Sequence, residues 1–295
     1  PGFALFVSFV MPHFPLIAPD ECYALYEGRD LDELRFGLDA PVDGHPVLDH
    51  MRRVSDYDAH FTPETRRRAL CAYFGMVTRL DELIGTVLQT LEDTGLGPST
   101  SVIYSSDHGD NLGSHGLWGK SVMYESAAAV PLILRDPRLV PGTVVDAPVS
   151  LVDIAPTAAA ICAPVVSDPA WAGTSLLDIA RNPPPNRPVL SQYHATSSNT
   201  GMFMIRQGRW KYIHYPGFAP QLFDLWSDPQ ERHDLGQDPS FAAVRQRLDT
   251  VLRSQCDPEA VNAGAFADQA ARIAANGGRA EIAASADIPF TPAPA

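Results

Sequence analysis

The chain has 295 residues, of which 22 are Lys or Arg and 35 are Asp or Glu, so its formal net charge is −13. This acidity argues against a nucleic-acid partner and against an anionic membrane surface, because both favour a basic face. With 45% hydrophobic and 19% charged residues, the composition is that of a globular protein rather than a disordered or membrane-spanning chain. The four cysteines are far apart and form no C-x-x-C pair, which indicates free thiols in a reducing, cytoplasmic setting.

The chain begins without an initiator Met and with an apolar run, residues 3–10 (FALFVSFV). Such a run predicts the buried strand of a parallel sheet, which needs neighbours on both edges. The run is too short to span a bilayer, and no basic region precedes it as in a signal peptide. We therefore expect that this chain is the carboxyl-terminal portion of a longer protein. Because the amino terminus of that protein is expected to be missing, export stays open.

Between residues 16 and 162, the sequence predicts a surface segment, two helices and two strands. Residues 16–62 show few clear periods and are predicted to form a surface excursion over a pocket. A long amphipathic helix is predicted from Pro63 to Thr94, because Thr62 can cap it and apolar residues then recur at helical spacing. The other elements predicted in this part are strands at 101–106 and 130–135 and a helix at 150–162.

Residues 182–188 (NPPPNRP) mark the best internal boundary, because three successive prolines cannot join a helix or a sheet interior. We expect a main domain over 1–185, a small antiparallel-sheet subdomain over 186–256, and a helical extension with a Pro-rich tail over 257–295. The elements predicted beyond the boundary are strands at 189–193, 202–207, 210–215 and 222–225, and helices at 241–254 and 258–276.

The sharpest motif for chemistry is Ser106-Asp107-His108-Gly109-Asp110, which follows a hydrophobic predicted strand. Ligands bind at the carboxyl ends of strands in open α/β sheets, and adjacent Asp and His side chains can reach one metal ion. Asp107 and His108 would suit Mn²⁺, Mg²⁺, Zn²⁺ or, with added carboxylates, Ca²⁺. The alternative is a capping aspartate beside a solvated histidine in a turn.

A glycine-rich loop follows, His115-Gly116-Leu117-Trp118-Gly119-Lys120, and carries one of the two lysines of the chain. Its glycines let the backbone approach a bound group, and Lys120 supplies a compact charge for an anion. The alternative is a surface lysine lying over Trp118. His13 lies between two prolines just beyond the first predicted strand, so its backbone is rigid and its side chain is expected to point at a bound group. The alternative is a loop histidine with ordinary hydrogen bonds.

Three further residues are weaker candidates. His194, after the first strand of the smaller predicted sheet, could contact a substrate, although a core or surface residue is the alternative. Asp110 and His115 could orient a ligand from behind, and ordinary loop hydrogen bonds explain them equally well.

Together these segments resemble the sulfatase family of the alkaline-phosphatase superfamily over nearly all of residues 1–256. The choline-sulfatase, arylsulfatase and phosphonate-monoester-hydrolase members are the most similar. The resemblance implies an α/β fold with an alkaline-phosphatase-like sheet sandwiched by helices, incomplete here, and a smaller carboxyl-terminal antiparallel sheet with helices. The matching pieces are Pro12-His13-x-Pro15, Ser106-Asp107-His108-Gly109-Asp110, His115-Gly116-Leu117-Trp118-Gly119-Lys120, Val130-Pro131-Leu132-Ile133, Trp210-Lys211-Tyr212, Leu222-Phe223-Asp224-Leu225 and Asp228-Pro229-Gln230-Glu231-Arg232.

The resemblance also implies roles for four residues. Asp107 and His108 would ligate a single divalent metal ion (Mn, Zn, Ca or Mg), while Lys120 and His13 would hold the sulfate or phosphate oxygens and the leaving-group oxygen. The family's nucleophile is a formylglycine made from Cys or Ser in a C/S-x-P-S-R motif. This chain has no such motif, because residues 162–166 begin like it but lack the Ser-Arg pair, and the family's amino-terminal Asp-Asp metal pair is absent too.

The implied function is therefore a sulfuric ester hydrolase whose nucleophile lies upstream, so that this chain alone should be inactive. Two alternatives stay open: a phosphonate or phosphodiester hydrolase, because sulfuryl and phosphoryl groups are both tetrahedral oxyanions, and an inert truncation that binds an anion or a partner. The expected partner is a small-molecule sulfate or phosphonate ester, and the sequence leaves a homo-oligomer open.

Overall fold

A computed structural model of the protein describes residues 3–31, 44–163, 165, 166 and 168–284. These residues form two antiparallel sheets and a set of helices, so the predicted α/β class with a smaller carboxyl-terminal sheet is confirmed. The strands are β1 (Val102–Ser105) paired with β2 (Leu132–Arg135), and β3 (Pro188–Tyr193), β4 (Met202–Gln207), β5 (Trp210–His214) and β6 (Gln221–Asp224) in sequential order. The helices are α1 (Asp20–Glu27), α2 (Pro46–Val54), α3 (Pro63–Asp93), α4 (Glu125–Ala128), α5 (Ile154–Cys162), α6 (Leu176–Arg181), α7 (Ala242–Gln255), α8 (Pro258–Ala275) and α9 (Arg279–Ala284).

The first predicted strand is wrong. Residues 3–10 form no strand in the structure, and Leu5, Phe6 and Val10 are exposed. A buried strand needs hydrogen-bonding neighbours at its edges and packed layers on its faces, and no strand of the described part of the chain pairs with this segment. The apolar run instead leads as an exposed, irregular segment into the turn that carries His13.

The long helix α3 begins as predicted. The Thr62 hydroxyl accepts a hydrogen bond from the amide of Thr65, and the Thr65 hydroxyl accepts one from the amide of Thr62. This reciprocal cap satisfies amides that have no partner inside the helix. Two shorter helices, α1 and α2, occupy the predicted surface excursion and were not expected from the pattern. Residues 32–43 of that excursion and the predicted Pro-rich tail lie outside the described residues.

The small sheet β3–β6 matches the four predicted strands to within about one residue at each end. One face packs on α7, with Phe203, Ile205, Tyr212 and Leu222 against Leu248 and Leu252. The opposite face covers the segment that follows Lys120, together with α2. The sheet therefore packs against the segment that directly follows the glycine-rich loop. The side chains buried on that second face include Met202, Met204, Ile213, Phe223, Val122, Met123, Tyr124, Val47, Leu48 and Met51.

The carboxyl-terminal helices α7 and α8 confirm the two helices predicted after the sheet. Helix α8 begins at Pro258, where the Asp257 side chain accepts a hydrogen bond from the amide of Ala260. Most of α8 is exposed. Within the described ranges, no helix has both the length and the apolar character needed to cross a bilayer. The four cysteines are free thiols, as the sequence indicated.

A buried ion pair spans the predicted boundary at 182–188. The Arg187 guanidinium donates to both carboxylate oxygens of Asp153, at 2.6 and 2.9 Å. The same carboxylate accepts from the amides of Ser150 and Thr174, at 2.8 Å each. The Asp153 side chain is fully buried, so all of its hydrogen-bonding capacity is used inside the protein.

Replacing Asp153 with alanine should strongly lower the free energy of unfolding, because it leaves Arg187 and two amides without their acceptor. Breaking a buried pair from one side costs about 3–5 kcal/mol. Urea denaturation followed by circular dichroism measures the change. Arg79→Ala, which breaks a half-exposed pair with Glu82, is the control and should leave the midpoint almost unchanged. Equal shifts in the two variants would contradict the prediction.

Candidate active site

Asp107 and His108 lie just beyond the carboxyl end of β1, separated from it by Ser106. The His108 Nδ1 lies 2.7 Å from the carbonyl oxygen of Gly109, and we assign it as the donor. The Nε2 atom then carries the lone pair, and it lies 3.6 Å from the Asp107 Oδ2. Two ligands that are each about 2 Å from one ion can take this separation. The separation of the two donors is therefore compatible with a single ion bound by both.

The donor set fits part of a divalent-metal site. The Asp107 Oδ1 accepts a hydrogen bond from the amide of His108 at 3.0 Å, which orients the carboxylate. The hydrogen bond from the His108 ring to the Gly109 carbonyl oxygen fixes the orientation of the ring. Such outer contacts are typical of metal-ligating side chains. Within residues 3–31, 44–163, 165, 166 and 168–284, no group of three or more His, Cys, Asp or Glu side chains is placed to hold a metal. These two residues alone leave further coordination positions to be filled.

Lys120 and His13 are in direct contact, although they are 107 positions apart in the sequence. The Lys120 Nζ lies 2.7 Å from the His13 Nε2. The His13 Nδ1 lies 2.8 Å from the carbonyl oxygen of Phe14, so we assign Nδ1 as a donor and Nε2 as the acceptor for the ammonium group. The same ammonium group lies 5.4 Å from the centre of the Phe14 ring. A cation is thus fixed at the turn that His13 occupies.

Trp118 is held by other neighbours, so the alternative in which Lys120 lies over this ring is wrong. The indole stacks on Phe61 at 3.9 Å between ring centres, and its Nε1 donates to Asp58. The guanidinium of Arg66 is the cation over its face. Trp118 therefore anchors the loop to the start of α3.

The two pairs meet at their histidines. The ring centres of His13 and His108 are 6.1 Å apart, with an interplanar angle of 63°. The structure thus brings together four of the five predicted site residues: Asp107, His108, His13 and Lys120. Their chemical roles stay predictions.

His194 is placed among other partners, at the end of β3. Its Nε2 lies 3.1 Å from the Gln192 Oε1, and its ring packs against the edge of Phe203. Burial lowers the pKa of this imidazole. Among the described residues, no hydrogen bond or ring contact joins His194 to the four residues above. A substrate contact by His194 stays a prediction, and its surroundings are those of a packed side chain.

The backbone just before Lys120 is fixed by two polar side chains. The Asp110 Oδ1 accepts from the amide of Gly119 at 2.9 Å, while the Asn111 amide and its Nδ2 both donate to the Gly119 carbonyl, at 2.7 and 2.8 Å. Gly119 has a φ of +70°, a conformation that favours glycine. Asp110, a weak sequence candidate, thus orients the loop. The fully buried Asn111 was missed, because nothing in the motif shows that its side chain turns inward.

Helix α4 supports the turn that follows His108. The amide of Gly109 donates to the carbonyl of Ala127 at 2.9 Å, and the Ser126 hydroxyl donates to the Asn111 side chain at 2.7 Å. A Cβ on Gly109 would lie only 2.1 Å from the Ser126 carbonyl oxygen. Only glycine therefore allows this close approach.

His115 lies beneath the loop rather than at the site. Its ring is buried and stacks on Tyr124, with 3.7 Å between ring centres and nearly parallel planes. Its carbonyl accepts from the Arg52 Nε at 2.9 Å. These contacts fix the middle of the loop to the core. Ligand orientation by His115 stays a prediction.

A pair of metal-type donors and a lysine–histidine pair thus lie close together beyond the carboxyl end of β1. Two family profiles match the chain: Sulfatase over residues 2–162, and N-sulphoglucosamine sulphohydrolase, C-terminal, over residues 113–257. The first match covers more than half of the chain. The chain belongs to the sulfatase family, as its motifs indicated.

Similar proteins agree with this membership. The choline-sulfatase of Rhizobium meliloti (strain 1021) is 35% identical over 91% of this chain and 53% of its own length. A phosphonate monoester hydrolase from Silicibacter pomeroyi superposes with a TM-score of 0.65 at 25% identity, covering 83% of this chain and 54% of that one. The structure of BT4656 in complex with its substrate, D-glucosamine-2-N,6-O-disulfate, superposes with a TM-score of 0.62 at 26% identity, covering 70% of this chain and 47% of that one. The predicted alkaline-phosphatase-like fold is confirmed, and the chain spans about half the length of these relatives.

Gly109→Ala should destabilise the protein, because the added Cβ would collide with the Ser126 carbonyl oxygen. Forcing extra atoms into a packed site costs about 1–3 kcal/mol. Gly85→Ala in α3 is the matched control, since its Cβ would meet no atom within 4 Å. Alanine there should stabilise the helix by about 0.5–1 kcal/mol. Thermal melting compares them, and a Gly109→Ala variant that melts no lower than the parent would contradict the prediction.

Proposed function

We propose that the protein is a hydrolase of sulfate esters, in which His13 and Lys120 bind the transferred group and Asp107 and His108 hold one divalent metal ion. The observation that carries the proposal is the 2.7 Å contact between Lys120 and His13, with the His13 ring 6.1 Å from that of His108. Residues from distant parts of the chain converge there on one small area. Membership of the sulfatase family supports the reaction class.

The Lys120 ammonium group gives one of its three N–H donors to His13, which leaves two for the oxygens of a tetrahedral anion. Its compact charge then stabilises negative charge that develops as the ester bond breaks. The proton between the Lys120 Nζ and the His13 Nε2 is available to the leaving oxygen. A metal ion bound between Asp107 and His108 would add Lewis-acid polarisation of the sulfuryl oxygens.

The nucleophile of the proposed reaction is a formylglycine. Residues 1–295 contain no C/S-x-P-S-R motif, so the proposal places this residue upstream, and the chain by itself should show no turnover. The function is therefore tested on a polypeptide that includes this chain and a formylglycine motif. A complete reading frame without such a motif would contradict the enzyme and favour an inert anion-binding protein.

A phosphonate or phosphodiester hydrolase is the second candidate. The superposition on a phosphonate monoester hydrolase favours it, and a lysine–histidine pair binds phosphoryl and sulfuryl oxygens alike. Hydrolysis of an aryl sulfate and of a phosphonate monoester should be compared on the same preparation. A higher kcat/KM for the sulfate supports the proposed function, and a higher value for the phosphonate supports the second candidate.

The metal is expected to bind through Asp107 and His108, and the imidazole favours Mn²⁺ or Zn²⁺ over Ca²⁺. An Asp107→Ala/His108→Ala double variant should lose most of the metal that elemental analysis finds in the parent. The exposed pair Asp56 and His60 has the same donor types, also 3.6 Å apart, and serves as the control. Metal content that falls equally in an Asp56→Ala/His60→Ala variant, or stays unchanged in both, would contradict the assignment.

Lys120→Ala should lower turnover on the order of 10²–10³-fold, which is typical for the loss of one transition-state contact. Lys120→Arg should restore it only in part, because a planar guanidinium does not replace a point charge in a glycine-lined loop. The melting temperature should barely change. If the lysine and His13 act as a unit, adding His13→Ala should cost little more, since residues that act together are not additive. Unchanged turnover in Lys120→Ala would remove the lysine from the site.

A further inference from the structure

Lys211, the other lysine of the chain, is fully buried in β5. Its Nζ lies 2.7 Å from the Met123 carbonyl oxygen, 2.7 Å from the Glu231 Oε1 and 2.6 Å from the Glu125 Oε1. The ammonium group thus donates two hydrogen bonds, to Met123 and Glu231, and forms an ion pair with Glu125. Two of the three belong to the segment that follows Lys120 along the chain.

The Glu231 carboxylate extends this network to the first residue of α4. Its side chain is 2% exposed, and its second oxygen accepts from the amide of Glu125 at 2.6 Å. Burial raises the pKa of Glu231. Burial would also raise the pKa of Glu125, but Lys211 together with Arg206 outweighs it, and the pKa is lowered. Lys211 is thus the cation that both carboxylates share.

Helix α4 connects the network to both halves of the candidate site. The Ala127 carbonyl accepts from the amide of Gly109, next to His108. The Ser126 hydroxyl donates to Asn111, whose side chain in turn holds the Gly119 carbonyl, next to Lys120. Four hydrogen bonds therefore link Lys211 through α4 to the backbone next to Lys120: Lys211 to Glu231, the Glu125 amide to Glu231, Ser126 to Asn111, and Asn111 to Gly119.

We propose that Lys211 and Glu231 are positioning residues for the oxyanion site, which they hold in register through α4. An apolar pair of similar volume could fill the same space without the desolvation of two charges. It would not bond to the Met123 carbonyl or the Glu125 amide, so it would not fix the position of the start of α4. Their effect on catalysis rests on the proposed function, whereas their effect on the backbone does not.

Amide hydrogen exchange at Gly109 and Asn111 tests the proposal on the chain itself. Lys211→Met should speed exchange at these two amides by about tenfold or more, since each 1.4 kcal/mol of lost local stability is a factor of ten. Amides of β4 report on global unfolding. Arg187→Gln, which breaks the buried pair with Asp153 away from this network, is the matched control. It should change exchange at Gly109 only as much as in β4.

A Lys211→Met/Glu231→Leu variant keeps the test valid if the single variant does not fold, because it removes both buried charges together. It should recover melting temperature and still exchange faster at Gly109 and Asn111. Exchange at these amides that is unchanged, or that rises only in parallel with β4, would overturn the proposal. This measurement needs no enzymatic activity.

Kinetics on the polypeptide that includes a formylglycine motif provide the second readout. The double variant should lower kcat for an aryl sulfate about tenfold, as expected for a slightly misplaced catalytic group, while Arg187→Gln at similar stability keeps it. Faster exchange at Gly109 with no sulfate-ester turnover in the parent would contradict the proposed function and leave the positioning role standing. Normal kcat together with unchanged exchange would overturn the positioning role alone.

Discussion

Burial of residues 122–124 against the small sheet is the constraint on which the candidate site depends. These side chains are at most 5% exposed and share one apolar cluster with Ile213 and its neighbours. Burying each such side chain contributes roughly 1.5–3 kcal/mol. That energy fixes the backbone on the carboxyl-terminal side of Lys120, while the clamp on Gly119 fixes it on the amino-terminal side. The backbone is thereby held on both sides of Lys120.

The two site histidines use the same local device. Each places its Nδ1 within 2.8 Å of the carbonyl oxygen of the next residue, Phe14 for His13 and Gly109 for His108. A ring held this way has one tautomer and presents its Nε2 to a partner. That partner is the ammonium of Lys120 in one case and a carboxylate in the other. The His13 ring thus accepts a hydrogen bond from a cation, whereas the His108 ring has its Nε2 3.6 Å from the Asp107 carboxylate.

Sequence patterns predicted the small sheet and the α3 helix almost to the residue, because alternation, capping and turn signals are local. They failed for residues 3–10, since apolarity shows that a segment can be buried but not that neighbours are present. The motif with Asp107 and His108 was predicted to follow a strand, and in the structure it lies just beyond β1. The role of Lys211 could not be read from the sequence, because a lysine in a strand is normally exposed and its partner Glu231 is 20 positions away.

The unequal burial of Lys120 and Lys211 makes the two amines differ in their reactivity towards a reagent in solution. Lys211 is fully buried among its acceptors, whereas Lys120 is partly exposed at the site. Of the two lysine side chains in residues 1–295, an amine-directed reagent therefore meets only Lys120 in the native fold, and Lys120 lies where an oxyanion is proposed to bind. Covalent labelling of Lys120 can thus report occupancy of the site without any turnover, because a bound anion would shield its amine.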